Sequence, residues 1–401
     1  MEKSFKAIIG LLILLRIAFL NFASKYKTIY LTKDSDHYIE LSQDIPFYFF
    51  NDSLVDYWLS TFRLPGYPLI INIFTKFFDI NLGIYLNLIA DLISVFLLYK
   101  LLLIYFEKKY ALLGSILFLI NMNLLISSTQ IMTESFTTLF LFASFYFFRL
   151  ERFLISGVFI SLLSITKPVG IYIIAAYILL IIWKKKNTMK NIIVLVFLQT
   201  LLISGLYINN YIQYESGFYS TSSYFHLQWY NKASESLCED FNFNKLEVSE
   251  PGYVFENWLQ ENNLDKKSES QILINMLKEN SRDGLINNLH CKTISSIRSI
   301  LWNMFGIRSS NWENTNLNEF IIQIVKISSF IYAIIMNLSF LRLLISRSNN
   351  QLTSQVLLIS CIYIITTSIL PFGNSRIRVL LEPFLIILFI ENLKKYLTVS
   401  D

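Results

Sequence analysis

The chain has 401 residues, of which 54% are hydrophobic and only 16% are charged, and its mean hydropathy is +0.48. A soluble protein of this length would have about 25% charged residues, so the composition excludes an ordinary soluble enzyme. Long apolar runs recur throughout and predict an all-α polytopic membrane protein. The net charge of +5 does not indicate nucleic-acid binding, because the lysines stand in short clusters between apolar runs.

Apolar windows predict about ten membrane-spanning helices. We expect the first to be retained rather than cleaved as a signal peptide, because Arg16 interrupts it and no small-residue cleavage site follows. Arg16 and Asp91 both fall within spans, where charge is costly, so both should face the bundle interior, where they could pair with each other. The windows cover residues 5–23, 80–104, 110–126, 135–148, 153–166, 170–183, 191–208, 319–343, 354–371 and 379–392.

Basic clusters predict the orientation in the membrane. Lysines near the N-terminus and the clusters FEKKY, FRLER, KKKNTMK, RLLISRSNN and LKKYL each follow an even number of predicted crossings. The positive-inside rule therefore places these clusters and both termini in the cytoplasm. Residues 24–79 and 209–318 then lie outside, the first with short helices along the membrane surface and the second as a small, partly helical domain.

This organisation divides the chain into three parts. Residues 1–208 form an N-terminal transmembrane module that includes the first outer loop, 209–318 form an extracytoplasmic segment, and 319–401 return as C-terminal transmembrane helices. Cys238 and Cys291 both fall in the outer segment, where a disulfide and two separate thiols are the alternatives.

The predicted topology gathers acids and bases from five loops or helix ends on the outer face. If the spans form one bundle, these groups converge on a single outward cavity. For any one of them, a solvated interface anchor or a helix cap is the alternative interpretation. One histidine and two acids in KDSDH are a weak metal signature, so no cofactor is expected, although a divalent metal is not excluded. The gathered residues are Asp34, Asp36, Tyr38, Arg63, Glu134, Lys167, Arg376, Arg378 and Glu382.

The order of these motifs resembles the GT-C superfamily of polytopic glycosyltransferases, most closely the bacterial, protein-mannosyltransferase-like branch, glycosyltransferase family 39. Asp34 and Tyr38 match the Asp-x-x-x-Tyr element of the first outer loop. The segments RLPGYPLIINIFTKFF, IMTESFTTLFLF, SGVFISLLSITKPVGIYI, NNYIQYESGFYSTSS and NSRIRVLLEPFLIIL are similar to further family elements in the right order. The chain departs from the family at Ser35, Asn209 and Ile377, where acid, arginine and tyrosine are usual.

The resemblance implies a GT-C type helix bundle in the cell (inner) membrane with its active site on the extracytoplasmic face. It implies transfer, with inversion, of a sugar from a polyprenyl-phosphate donor to a hydroxyl of a glycan, lipid or protein. Asp34 would be the general base. Asp36 would support it if the segment is extended, because residues two apart then point the same way. Substrate binding falls to Tyr38, Arg63, Glu134, Lys167, Arg376 and Arg378.

Arginine and lysine suit an anionic lipid-phosphate leaving group independently of the resemblance. There are two alternatives to this glycosyltransferase function. One is a polymerase that joins lipid-linked oligosaccharides, and the other is a transporter or flippase of lipid-linked sugars. Transporters tend to show internal repeats, broken helices and polar groups at the bilayer midplane. The sequence shows no repeat, and its polar groups concentrate at one face.

Overall fold

The computed structural model describes most of the transmembrane part of the chain. Every regular element in the described residues is helical, which confirms the all-α class. The predictions for Arg376, for Cys238 with Cys291, and for the outer segment between 221 and 292 fall outside the described residues. The described residues are 2–25, 31–43, 63–184, 188–214, 217–220, 319–346, 350–369 and 378–399, with single positions 293, 296, 297, 300, 301 and 304.

Thirteen α-helices and two short 3₁₀ helices are formed by these residues. The α-helices are α1 (Glu2–Ala23), α2 (Lys33–Gln43), α3 (Gly66–Thr75), α4 (Gly83–Tyr105), α5 (Lys108–Ile120), α6 (Met122–Ser128), α7 (Glu134–Arg149), α8 (Phe153–Thr166), α9 (Val169–Lys184), α10 (Thr188–Tyr214), α11 (Glu319–Ile345), α12 (Gln351–Ile369) and α13 (Glu382–Val399). The 3₁₀ helices cover Ile80–Leu82 and Val379–Leu381.

Five of these helices, α1, α4, α10, α11 and α12, are long and apolar enough to cross a membrane. A sixth crossing is added if α5 and α6, which meet at an angle of 56°, together form one span. Nine of the ten predicted windows each overlap one α-helix, and the window 110–126 covers both α5 and α6. However, α7, α8 and α9 have 14 to 16 residues and are shorter than the roughly 20 that a perpendicular crossing needs. The chain is a membrane protein with five or six helices of spanning length among its described residues.

The centre of the bundle is α7, whose sequence ESFTTLFLFASFYFFR is apolar on almost every side. A helix of this kind is buried all round rather than on one stripe. Phe142 and Phe145 contact Phe384 of α13, with ring centroids 5.5 and 5.3 Å apart. Phe148 meets Tyr177 of α9 edge to face at 4.9 Å. Each such pair contributes about 0.5–1.5 kcal/mol beyond its buried area and fixes α7 between α9 and α13.

A buried ion pair joins the first helix to the rest of the bundle. Arg16 Nη1 of α1 lies 3.0 Å from Asp91 Oδ2 of α4, and both side chains are buried. Arg16 also donates from Nε to Leu119 O over 2.9 Å and from Nη2 to Phe118 O over 3.1 Å. Both residues therefore face the interior, as predicted, and they form a pair there.

The two carbonyl groups that Arg16 binds belong to the last turn of α5, where helix carbonyls lose their intrahelical donors. The chain breaks at Asn121, whose extended backbone ends α5 and whose Oδ1 accepts from Leu124 N to cap α6. A cation at the carboxyl end of a helix also complements the helix dipole. Arg16 therefore fixes the break, and the break directs the chain toward the start of α7.

We predict that Arg16→Leu lowers stability strongly, by about 3–5 kcal/mol, because it leaves Asp91 buried without its cation. The double variant Arg16→Leu/Asp91→Leu should be more stable than Arg16→Leu, since no uncompensated charge remains. Thermal unfolding in detergent measures both, with Arg152→Leu as the control at an exposed arginine. Equal stability of the single and double variants would show that Asp91 without its cation is not a destabilising buried charge.

Candidate functional site

The segment that contains the predicted base begins with a reciprocal helix cap. Thr32 N–H donates to Ser35 Oγ over 2.9 Å, and Ser35 N–H donates to Thr32 Oγ1 over 3.1 Å. This arrangement is a variant of the capping box, with serine in place of the usual glutamate. Asp34 and Asp36 lie in the first turn of α2, where acids are favoured by the helix dipole. The sequence therefore forms a helix at this point.

The condition under which Asp36 would support Asp34, an extended segment, is therefore not met. Residues two apart on a helix point about 200° away from each other. Asp34 is half-buried and directed at Arg63, whereas Asp36 is exposed. The two carboxylates do not share a site, and the geometry removes the basis for a supporting role of Asp36.

Asp34 forms the shortest ion pair of the site. Its Oδ1 lies 2.5 Å from Nη2 of Arg63, and the same nitrogen lies 3.4 Å from Nδ1 of His37. Asp34, His37 and Tyr38 share one face of α2 because they stand three and four residues apart. The Arg63 and Asp34 side chains remain 17% and 25% exposed, so a substrate can reach both.

An aromatic and amide network continues from this ion pair into the bundle. The guanidinium of Arg63 lies 5.3 Å from the centre of the Tyr38 ring, which meets Tyr67 edge to face at 5.2 Å. Tyr67 donates to Asn87 Oδ1 over 3.2 Å, and Asn87 Nδ2 donates to Gln130 O over 2.5 Å. Burial raises the pKa of the Tyr67 hydroxyl, which therefore stays protonated as a donor. The network links α2 and α3 to α4 and to the turn before α7.

A second ion pair, deeper in the bundle, joins α7 to the corner after α8. Glu134 is the first residue of α7 and is fully buried, and its Oε1 lies 3.6 Å from Nζ of Lys167. Lys167 has an extended backbone, the conformation that a following proline favours, and its side chain is 22% exposed. Glu134 also interacts electrostatically with Tyr67. The second ion pair therefore lies within electrostatic range of Tyr67.

Backbone packing brings the two halves of the site together at Gly66. A β-carbon at this position would lie 2.4 Å from Thr166 Oγ1 and 2.7 Å from Ile165 O, at the end of α8. Only glycine permits this approach. The start of α3, three residues after Arg63, therefore abuts the residue that precedes Lys167.

The predicted arginine at the start of the last helix occupies a different environment. Arg378 and Glu382 are both fully buried and pair through Nε and Oε1 at 2.8 Å. Arg378 Nη1 donates to Met304 O. The intervening 3₁₀ helix, Val379–Leu381, packs against α7. An arginine held by a carboxylate and a carbonyl and closed to solvent stabilises the fold in this structure rather than offering an open anion site.

The structure thus brings together five of the eight predicted residues, three in the contact network and two in the second ion pair. Asp36 points away, Arg378 is enclosed elsewhere, and Arg376 lies outside the described residues. The network also includes residues that sequence reasoning missed. Asn87 could have been found from the sequence, because it is a polar side chain within an otherwise apolar span. Tyr67, its neighbour in the network, lies in the RLPGYP segment. The joined residues are Asp34, Tyr38, Arg63, Glu134 and Lys167.

The described residues contain no group of three His, Cys, Asp or Glu side chains that could hold a metal ion. No family model, no curated protein and no solved structure matches this chain. The resemblance to glycosyltransferase family 39 therefore stays a prediction that rests on the motifs, and the chemistry has to be argued from the site itself.

We predict that Gly66→Ala destabilises the protein by about 1–3 kcal/mol, because the added methyl group collides with the end of α8. Gly205→Ala is the matched control, since a β-carbon there has no neighbour within 4 Å. Thermal unfolding of the two variants in the same detergent provides the comparison. If both variants unfold with the wild type, α3 does not approach α8 as closely as described.

Proposed function

We propose that the protein is an inverting membrane glycosyltransferase of GT-C type that uses a polyprenyl-phosphate sugar donor at the extracytoplasmic face of the cell membrane. One observation supports this most: two carboxylate–cation pairs, each with a partly exposed cation, lie near Tyr67. The pairs are Asp34–Arg63 and Glu134–Lys167. Acids and cations of this kind are what sugar transfer from a lipid phosphate requires.

Asp34 is the proposed general base. Its carboxylate removes the proton from the acceptor hydroxyl as that oxygen attacks C1 of the sugar from the side opposite the phosphate. The bond between C1 and the phosphate oxygen breaks, and the lipid phosphate leaves with the electron pair. Arg63 and Lys167 stabilise the charge that accumulates on the phosphate, arginine as a planar fork and lysine as a point charge.

Donor binding is then an exchange of partners. Arg63 contacts Asp34 and Lys167 contacts Glu134, so an incoming phosphate competes with both carboxylates. A phosphate that binds Arg63 takes over its charge-assisted hydrogen bonds and leaves Asp34 able to accept a proton. The base thereby becomes effective only when the donor is present, which limits unproductive reaction with water.

An apolar surface beside the site suits the prenyl chain of such a donor. The helix α3 begins at the site. Its outward side exposes Leu69 and Ile73, and the turn that follows it exposes Phe77 and Phe78. A short helix with one packed and one exposed apolar face is typical of a segment that lies in the membrane interface. The lipid tail can extend along this surface while its phosphate reaches Arg63.

The broken helix α5–α6 favours the transporter alternative, because transporters bind ions at such breaks. At this break, however, Arg16 already occupies two of the carbonyl groups that would otherwise coordinate a cation. A polymerase of lipid-linked oligosaccharides would use the same donor chemistry and differ only in its acceptor. Membrane lipids surround the site in every case, and the proposed acceptor is a glycan, a lipid or a protein.

We predict that Asp34→Asn reduces transfer roughly 10²- to 10⁴-fold, since asparagine keeps the size of the side chain but not its basicity. Asp36→Asn is the matched control and should remain close to wild type, because Asp36 is exposed on the other side of α2. Mass spectrometry of lipid-linked sugars and surface glycans, with and without the protein, identifies the donor. Transfer is then measured with that donor in membranes.

The outcome separates the hypotheses. Unchanged glycan and lipid-linked pools would refute the enzymatic function itself. Normal transfer by Asp34→Asn together with loss in Asp36→Asn would show that the motif was aligned two residues away from the base. If both variants are active, the base is another carboxylate, and Glu134 is the next to test.

We further predict that Arg63→Ala weakens the binding of undecaprenyl phosphate roughly 10- to 100-fold, because a charge-assisted contact to the phosphate is lost. Arg63→Lys should restore binding only in part, since the planar fork is missing. Binding to purified protein is measured by quenching of intrinsic fluorescence, with Arg152→Ala as a control at an exposed arginine. If Arg63→Ala binds undecaprenyl phosphate with wild-type affinity, Arg63 is an interface anchor and does not bind the phosphate.

A further inference from the structure

The corner that presents Lys167 is made possible by a proline. Pro168 has no N–H, so Ser164 O lacks the donor that would continue α8 at this point. The hydroxyl of Tyr219, which lies beyond the end of α10, donates to Ser164 O instead. A carbonyl that the proline leaves without a backbone donor is thus satisfied by a distant side chain, as buried polar groups require.

A second side chain clamps the same corner from α10. Gln199 is buried on a helix that is otherwise mostly exposed. Its Nε2 donates to Ser164 Oγ over 2.7 Å and to Gly170 O over 3.0 Å. A buried amide in an apolar bundle is costly unless it is hydrogen-bonded. Here its two donated bonds span the corner from the end of α8 to the start of α9.

Close backbone contacts keep this arrangement tight. A β-carbon on Gly170 would lie 2.5 Å from Ser164 N, so the two arms of the corner touch. Asn210 Nδ2 donates to Phe218 O over 2.9 Å, which holds the residue before Tyr219 against α10. Tyr219 is therefore anchored on one side and bound to the corner on the other.

We propose that Tyr219 and Gln199 are positioning residues that aim Lys167 at the phosphate-binding side of the site. The inference rests on the proposed function, in which Lys167 contacts the donor phosphate. Neither residue touches the substrate. Both act by fixing the backbone on either side of Lys167, whose amine lies 3.6 Å from Glu134. Through Tyr219, the first residues of the outer segment are coupled to the site.

The test uses Tyr219→Phe, which removes one hydroxyl and preserves the ring. Tyr211→Phe is the matched control, because Tyr211 is exposed on α10. Undecaprenyl phosphate is the probe. We expect Tyr219→Phe to bind it about 3- to 10-fold more weakly, the effect of one lost hydrogen bond, and Tyr211→Phe to bind as the wild type.

A double-mutant cycle distinguishes positioning from general destabilisation. In the background of Lys167→Met, Tyr219→Phe should have no further effect on affinity, because its contribution passes through the lysine amine. An equal loss in both backgrounds would overturn the proposal. So would wild-type affinity of Tyr219→Phe when Lys167→Met alone is weakened.

If the proposed function is wrong, the result is different: Lys167→Met itself binds undecaprenyl phosphate with wild-type affinity. Hydrogen exchange then tests the corner without any ligand. The amides of Lys167, Gly170 and Ile171 are bonded within the corner and should exchange faster in Tyr219→Phe and in Gln199→Leu, but not in Tyr211→Phe. Unchanged exchange in Tyr219→Phe and Gln199→Leu would show that these side chains do not hold Lys167 in place.

Discussion

The three-way bonding of Arg16 is the constraint on which the arrangement of α1, α4, α5 and the chain leading to the site depends. A guanidinium within a membrane helix is tolerated only if its charge and its donors are satisfied. Arg16 meets this requirement by binding Asp91 of α4 and two carbonyl groups at the end of α5. These bonds fix α1, α4 and α5 together and stabilise the break at Asn121. The chain after the break then leads to Glu134. The position of Glu134 therefore depends on Arg16, a residue outside the site.

The same rule explains why the site consists of pairs. Arg63 with Asp34 and Lys167 with Glu134 are each neutral as a unit, which lowers the cost of keeping charge near an apolar core. Neutral pairs can nevertheless bind an anion, because a phosphate with several oxygens replaces one carboxylate at the cation. In the proposed donor binding, exposure decides where this exchange occurs. Arg63 and Lys167 are partly exposed, whereas Arg378 and Glu382 are fully enclosed and remain together.

Sequence patterns predicted the helical class and several residues that lie close together in the structure, because apolar windows and charge at their ends are local signals. They missed the conformation of Asp34 and Asp36, although Thr32 and Ser35 have the spacing of a helix cap. Span number could not be read from composition, since α7 is apolar through burial in protein rather than through contact with lipid. Arg378 and Glu382 stand four residues apart, a spacing visible in the sequence, but their enclosure depends on tertiary packing against Met304 and α7 that this segment does not encode.

Helical geometry gives the Asp-x-x-x-Tyr spacing a physical meaning. Four residues on a helix return to the same face, so Asp34 and Tyr38 both meet Arg63, one through its charge and the other through its ring. An extended segment would also have put Asp36 on that side, and the carboxylates would have repelled each other. On α2 Asp34 reaches the arginine and Asp36 does not, so the proposed mechanism has a single base, whose availability depends on what Arg63 binds. In that mechanism the spacing of the motif serves the exchange between carboxylate and phosphate rather than a pair of acids.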